Sequence, residues 1–403
     1  MSSDAVHQCD VLVVGAGIVG LAVAREVLHR QPRRRVIVID KEPRPGMHAS
    51  SRNSGVLHCG IYYGSDTLKA RICAEGARRM MAFASKRGIP FRQGGKVIVS
   101  TAAGQGATVE RLLSNARDNG IPAERITREQ LLKLEPHCGQ VHDAIHCPTT
   151  AVIDGRGVIM AIREELEAGG VKFLWDCPFI DRVDDGAIRT GLGLIRFECM
   201  FNCAGAFADR VAHAFGVARN LAVVPFKGIY WKLVDAAAGK VRSNIYPVPD
   251  TAVPFLGVHL TRVIDGGVYA GPTAIPALGR ENYHGLQGIR AVEGLGILAR
   301  LSGMYWRNNQ GFRSLAHAEI GKYLKPRFVA AVQCLVPSIG SGDLVPTPKA
   351  GIRPQLVDLG SGKLVMDHVV ERQARTTHVL NAISPAFTGS MAFAEHLVSE
   401  GRL

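Results

Sequence analysis

The chain has 403 residues, 47% of them hydrophobic, and a formal net charge of +13. That length can bury a large core in about two or three domains, and no apolar run reaches membrane-spanning length. The nine cysteines are scattered without CxxC pairing, which fits reduced thiols and argues against a disulfide framework. The basic balance suits an anionic substrate or an acidic membrane surface. Nucleic acid is not an expected partner, because the cations are dispersed apart from Arg33, Arg34 and Arg35 and no recognition motif accompanies them. Residues 1–8 form a short polar tail with no room for a targeting peptide, so a cytoplasmic location is expected.

The first predicted element is an apolar strand over 11–14, which runs into Gly15-x-Gly17-x-x-Gly20. A helical pattern over 21–28 and a second apolar strand over 36–39 follow, and the latter ends on Asp40. This is a βαβ dinucleotide fingerprint. Gly15 permits the tight turn, Gly17 lets the backbone approach a pyrophosphate, and Gly20 lets helix and strand pack closely. The phosphates would sit on the helix N-terminus, and Asp40 would accept from a ribose diol. An acid there disfavours NADP. Position alone does not separate NAD from FAD.

A polar loop over 43–60 precedes an amphipathic helix over 68–87. Residues 95–100 read as a strand, and 108–119 and 127–134 as helices, the second opened by a Thr127-x-x-Gln130 capping box. Residues 142–147 read as a strand, 155–169 as a helix and 171–175 as a strand. Further strands are expected over 197–202, 223–234 and 257–263, and 289–335 is mostly helical. A strand over 377–380 and a helix from about Ser390 close the chain. Dinucleotide features thus fall at the start, middle and end, with strand-rich stretches between them. The expected fold is α/β: a discontinuous Rossmann-like domain (1–90, 148–220 and 345–403) with an inserted β-sheet-rich substrate domain (91–147 and 221–344). Ligand is expected at the interface.

The chain resembles the D-amino-acid-oxidase-type flavoprotein superfamily, and within it most closely the L-2-hydroxyglutarate dehydrogenase/oxidase family. The segments that carry this are 53–58, 60–63, 65–70, Gly95-Lys96, 202–205 and 245–250. Pro254-Phe-Leu-Gly-Val-His-Leu-Thr-Arg262 is the most specific, joined by 264–266, 350–353 and 381–386. The resemblance implies FAD and oxidation of a small anionic L-2-hydroxy acid, such as L-2-hydroxyglutarate, to its 2-oxo acid. Ser51, Asn53 and Ser54 would contact the cofactor. So would Gly205 after the middle strand, Asp209, and Gly389 and Ser390 at the last helix.

Oxidation at C2 also needs a base and a cation on the C1 carboxylate. His259 and His58 are candidates for the base, and Arg353 for the carboxylate clamp. Strand alternation puts His259 and Thr261 on one face. Tyr63, Tyr246, Thr261 and Lys227 are the expected substrate-binding residues. Lys227 and Ile229 stand where the family usually has arginine and glutamate, Arg52 where it has histidine, and Pro354 where it has a small residue. Phe387 and Gly389 alter the last flavin loop, and 147–154 replaces a serine-rich stretch. These departures keep two alternatives open: another hydroxy or amino acid as substrate, or a flavin-containing binding module without turnover.

No metal site is expected. His137, Cys138, His142, His146 and Cys147 match no common zinc spacing. A flavin link to Cys59 is not required by its neighbours. Oxygen, a quinone or a protein partner could each reoxidise the flavin, and no motif reports which, nor the oligomeric state. Val292, Leu295, Leu298, Leu301 and Tyr305 recur at near-helical spacing beside Trp306 and several cations. The favoured expectation packs this stripe on the protein's own core or another subunit. The alternative is weak peripheral contact with an anionic membrane.

Overall fold

The computed structural model describes residues 6–250 and 255–401. Pro254 of the 254–262 block therefore lies outside the described residues, as do the first five residues of the polar tail. The remainder of that tail opens the first strand, Val6–Val14.

This strand is central to an eight-stranded sheet. It pairs in parallel with Gly193–Asn202 on one side and Val36–Ile39 on the other. Lys172–Leu174 and Thr376–Leu380 extend the parallel part. Such strands are covered on both faces and read as continuous apolar runs rather than alternating ones. Residues 11–14 and 36–39 are all buried, as that predicts. One face is covered by the helices Ile18–Arg30, Leu68–Arg87, Gly155–Ala168 and Ala386–Ser399, whose apolar sides share one core. The short helix Ala208–Ala214 helps to cover the other.

The second sheet has nine strands. Eight lie in the order Ile275–Pro276, Leu221–Leu233, Val268–Gly271, His259–Arg262, Asn244–Pro247, Lys96–Ser100, Asp143–Cys147 and Glu124–Arg125. Leu344–Asp358 pairs antiparallel with Leu221–Leu233. A small three-stranded sheet of Val56–Leu57, Ala151–Ile153 and Phe91–Arg92 completes the sheet structure.

The helix expected over 68–87 spans Leu68–Arg87, with Thr67 accepting from the Ala70 amide and Gly88 in the left-handed region closing it. The Thr127/Gln130 capping box is formed. The region 289–335 splits into Ala291–Arg307, Phe312–Gly321 and Lys325–Gln333. Asn308, Gln310 and Gly311 take positive φ between the first two.

Three features depart from expectation. The last helix begins at Ala386, not near Ser390. Phe179–Asp184 and Ala187–Thr190 form a hairpin in a segment where no strand is expected. The fifteen-residue strand Leu344–Asp358 belongs to the second sheet, so the boundary expected at 345 cuts through it. Pro346, Pro348, Gly351 and Pro354 make that segment read as turns. It is an edge strand, where a missing N–H can face away from the ladder and proline is tolerated.

Candidate active site

A single cavity of about 720 Å³ runs from the fingerprint to the face of the second sheet. At the first end, Gly15 takes φ +106°, and a Cβ there would lie 2.4 Å from the Cys203 carbonyl oxygen. A Cβ on Gly20 would lie 1.9 Å from the Gly15 carbonyl oxygen. Gly20 therefore acts by close packing and does not line the cavity. Gly17 caps the helix Ile18–Arg30 without a side-chain partner, so amides at this N-terminus face the cavity wall. The Asp40 carboxylate accepts from the Ala16 amide at 2.7 Å and the Glu42 amide at 3.0 Å. Burial pushes its pKa up, while these amides oppose the shift.

This end fits a dinucleotide: a helix N-terminus whose own N-cap residue brings no side chain, a side-chain-free approach at Gly17, and an acid placed for a ribose. Asn53, Ser54 and Gly205 also line the cavity. Asn53 bonds locally, donating to the Ser50 carbonyl at 2.7 Å and accepting from the Gly55 amide at 2.8 Å. It thereby shapes the loop.

Four expected cofactor residues are placed elsewhere. Ser51 does not line the cavity; its neighbour Ser50 does, and accepts from the Ile18 amide at 2.9 Å. Asp209 is tied to Arg280 in a buried ion pair and accepts from the Val223 amide. Gly389 packs backbone to backbone against Gly76, where a Cβ would lie 2.5 Å from the Gly389 Cα. Ser390 is fully buried beyond it. With the helix starting at Ala386, it is Ala386, Phe387 and Thr388 that reach the cavity.

At the other end the cavity is lined by His58, His259 and Arg353 together. His259 Nδ1 lies 2.9 Å from the Gly257 carbonyl oxygen. A carbonyl only accepts, so Nδ1 carries the hydrogen and Nε2 holds a free lone pair. Burial pushes the His259 pKa down to about 4; the Gly257 carbonyl opposes this and Lys96 adds to it. Burial also pushes His58 down to about 3, helped by Lys96, His259 and Arg353. Its Nδ1 has no partner among the described residues. Arg353 stands 5.1 Å over the Phe255 ring, and its Nε is also unpartnered. Burial depresses its pKa to about 10, against an opposing effect of Tyr63, and it stays charged at neutral pH.

None of the four expected substrate-binding residues lines this cavity. In the strand Leu221–Leu233, Phe226, Gly228 and Tyr230 face it, so alternation turns Lys227 to the other side. Lys227 is buried there, and burial lowers its pKa. Tyr246 is fully buried behind His259, with the ring centroids 3.9 Å apart. Thr261 is buried one step further along the same face. Tyr63 is packed under the Lys69 ammonium, 5.7 Å from its ring centroid.

The structure adds residues beyond the expected contacts. Arg52 lines the cavity 4.1 Å over the Tyr283 ring, and its Nε donates to the Met47 carbonyl at 3.1 Å. Lys41, His48 and Glu281 close the wall near the fingerprint, with Lys41 paired to Glu281 at 2.5 Å. Glu42, His48 and Glu281 are the one group with metal-ligand spacing among the described residues. Lys41 and Tyr283 already engage them. His146, from the cluster weighed in the sequence, lies 3.8 Å from Glu124.

A dinucleotide-binding sheet joined to a pocket with a neutral imidazole and an unpaired guanidinium defines an oxidoreductase with a bound dinucleotide cofactor. The chain belongs to the family described as FAD dependent oxidoreductase, whose model matches residues 10–400. FAD is its cofactor, and as an oxidoreductase it has a small substrate and an electron acceptor.

Among similar proteins is an L-2-hydroxyglutarate dehydrogenase from Indibacter alkaliphilus, 35% identical and covering 95% of this chain and 96% of that protein. The human mitochondrial L-2-hydroxyglutarate dehydrogenase is 33% identical, covering 97% and 88%. Among solved structures, a dithionite-reduced, FAD-bound L-alpha-glycerophosphate oxidase from Mycoplasma pneumoniae matches with TM-score 0.77 at 20% identity, covering 97% and 94%. A glycine oxidase from Geobacillus kaustophilus matches with TM-score 0.71 at 18% identity, covering 98% and 94%. The two structural likenesses establish the fold.

Proposed function

We propose that this protein oxidises an L-2-hydroxy acid, L-2-hydroxyglutarate foremost, to the 2-oxo acid. The observation that carries the reading is the convergence of His58, His259 and Arg353 on the inner end of the cofactor cavity. The named relatives support the five-carbon substrate. Arg353, which lines the cavity with no ion-pair partner among the described residues, holds the C1 carboxylate and fixes the orientation of C2. His259 Nε2 takes the hydroxyl proton at the substrate oxygen, and acceptance of the C2 hydride is the chemistry FAD would supply when bound. His58 is the alternative base. Gly15, Gly17, Asp40, Asn53, Ser54 and Gly205 are the proposed cofactor contacts.

The test is anaerobic flavin reduction across 2-hydroxy and amino acids, then reoxidation with oxygen and with a quinone analogue. Bleaching by L-2-hydroxyglutarate supports the reading. Bleaching only by another acid moves the substrate, and stable FAD with no reduction by any acid would leave a binding module. The reoxidation arm assigns the acceptor as oxygen or quinone.

The surface favours a second reading, peripheral docking on an anionic bilayer. No helix among the described residues is long and apolar enough to cross a membrane. The helix Ala291–Arg307 buries Gly294, Ile297, Leu301 and Met304. The expected stripe therefore divides: Leu301 turns inward, while Val292 (87% exposed), Leu295 and Leu298 face out with Trp306 (76% exposed). Tyr323 and Leu324, after the following helix, are also exposed, as are Arg290, Arg307 and Arg327. Apolar side chains rimmed by cations match an anionic lipid surface. Binding to anionic vesicles, reversed by salt and lost in the V292S/L295S/W306A variant, is expected. Equal partition of the two proteins removes this reading.

A further inference from the structure

Three strands of the second sheet lie side by side in the order His259–Arg262, Asn244–Pro247, Lys96–Ser100. Ile245 pairs with Leu260 on one side and Val97 on the other. This register puts Tyr246 between His259 and Lys96 on one face. The imidazole of His259 stacks on the Tyr246 ring at 3.9 Å and 19°. The Lys96 ammonium lies 5.1 Å from the same ring's centroid, 4.4 Å from that of Tyr62, and 3.3 Å from the Tyr62 hydroxyl. Lys96 is completely buried, and its charged or polar neighbours are tyrosines, His58, His259 and the sulfurs of Cys59 and Cys147, Cys59 being the one that most favours its charge, with no carboxylate among them. An ammonium without a carboxylate is costly inside a protein, yet this one sits one ring behind the candidate base.

We propose that Lys96 is a positioning residue for the oxidation, acting through Tyr246 to hold His259 neutral into mild acid, beyond what burial alone gives, with Nε2 open to the substrate hydroxyl. The proposal rests on the reading of His259 as the base. The physical reason is competition for one aromatic ring. A cation on Tyr246 already uses the ring's negative face, so a second cation, imidazolium, would meet like charge across it. A neutral imidazole stacks there without penalty, and the Gly257 carbonyl selects its tautomer.

The other ionisable groups of this cluster are Tyr246 and His58 beside His259, Tyr230, Tyr62 and Cys59 beside Tyr246, and Arg353 beside His58. The tyrosines are pushed upward by burial and Arg353 stays charged, while the Cys59 thiol is drawn well down by its Cys147 hydrogen bond and by Lys96, so Cys59 and the two histidines are the groups that can change state, and the labelled His259 signal separates them.

The experiment uses FAD-loaded enzyme and two readouts. One is the pH profile of anaerobic flavin reduction. The other is NMR titration of 13C-labelled histidine in the oxidised protein, with His259→Gln assigning the signal. Removing one charge at this separation is expected to raise the His259 midpoint by about one pH unit. Lys96→Met, and Lys96→Gln as a second neutral variant, should therefore lose about half their rate near pH 5, where the parent is still flat. Lys96→Arg should restore the parent profile. A parent-like His259 titration in both neutral variants overturns the proposal. A His259→Gln enzyme that keeps the parent acid limb overturns the base assignment instead, so the two failures are distinguishable.

Discussion

The two ends of the cavity are built on different scales of the chain. At the fingerprint, the Ala16 amide meets Asp40 only 24 positions later, across one βαβ unit. At the substrate end, the His58 amide bonds Thr388 Oγ1, 330 positions away, and Arg353 arrives on an edge strand of the other sheet. The first end is a local motif whose spacing carries its own geometry. The second exists only after two sheets meet. Damage to the first should therefore register as lost cofactor, and damage to the second as lost chemistry with the cofactor retained.

The strongest test of that contrast is Gly20→Ala. Its Cβ would collide with the Gly15 backbone, at a cost above the ~1–3 kcal/mol usual for overpacking. Colourless or unfolded protein is expected, and a yellow, fully loaded variant would break the comparison.

His259→Ala should keep FAD, judged by its absorbance and thermal midpoint, yet slow flavin reduction about 10²- to 10⁴-fold. An unchanged reduction rate would transfer the base role to His58. Arg353→Lys should raise KM and slow reduction by about 10- to 100-fold in kcat/KM, since an ammonium does not reproduce the two-pronged carboxylate contact. Unaltered kinetics would remove the clamp.

Acid should weaken both ends together. His58, His259, His368 and His378 all have pKa values depressed to about 3 or 4 by burial. In mild acid the unfolded chain binds more protons than the folded one. Stability is therefore full above pH ~6.5 and falls as pH drops toward 4, by up to about 1.4 kcal/mol per pH unit for each histidine. Thermal scans across that window check the sign; a midpoint that rises on acidification contradicts it. The smallest effect is expected for Lys227→Met. Its side chain faces away from the cavity, so kcat/KM for L-2-hydroxyglutarate should change by less than about threefold, within the usual effect of a site with no direct contact. A large rise in KM would show that Lys227 reaches the substrate.

Much of this was legible without coordinates. Periodicity and caps placed the helix Leu68–Arg87 and the Thr127 capping box, because both depend on residues a turn apart. Continuous apolar runs marked the parallel strands. The resemblance named His58, His259 and Arg353, which the fold brings to one cavity.

The losses share a physical cause. The resemblance points to Lys227 by its place in a motif, but packing decides which face of the strand meets the ligand, and Phe226 and Gly228 line the cavity instead. Prolines signal turns unless an edge supplies the place where their missing N–H is harmless, which hid Leu344–Asp358. A helix with apolar residues on more than one side does not declare which side is buried. Packing chose Ile297, Leu301 and Met304, and left Val292 and Leu295 outside. The sequence alone determined the cofactor motif, because its residues lie at short spacings, and the resemblance carried by specific residue types supplied the family and the three residues found together at the other end of the cavity. Only the tertiary structure decided the inward faces, the edge strand and the Lys96–Tyr246–His259 row, because each depends on register between segments distant in the chain.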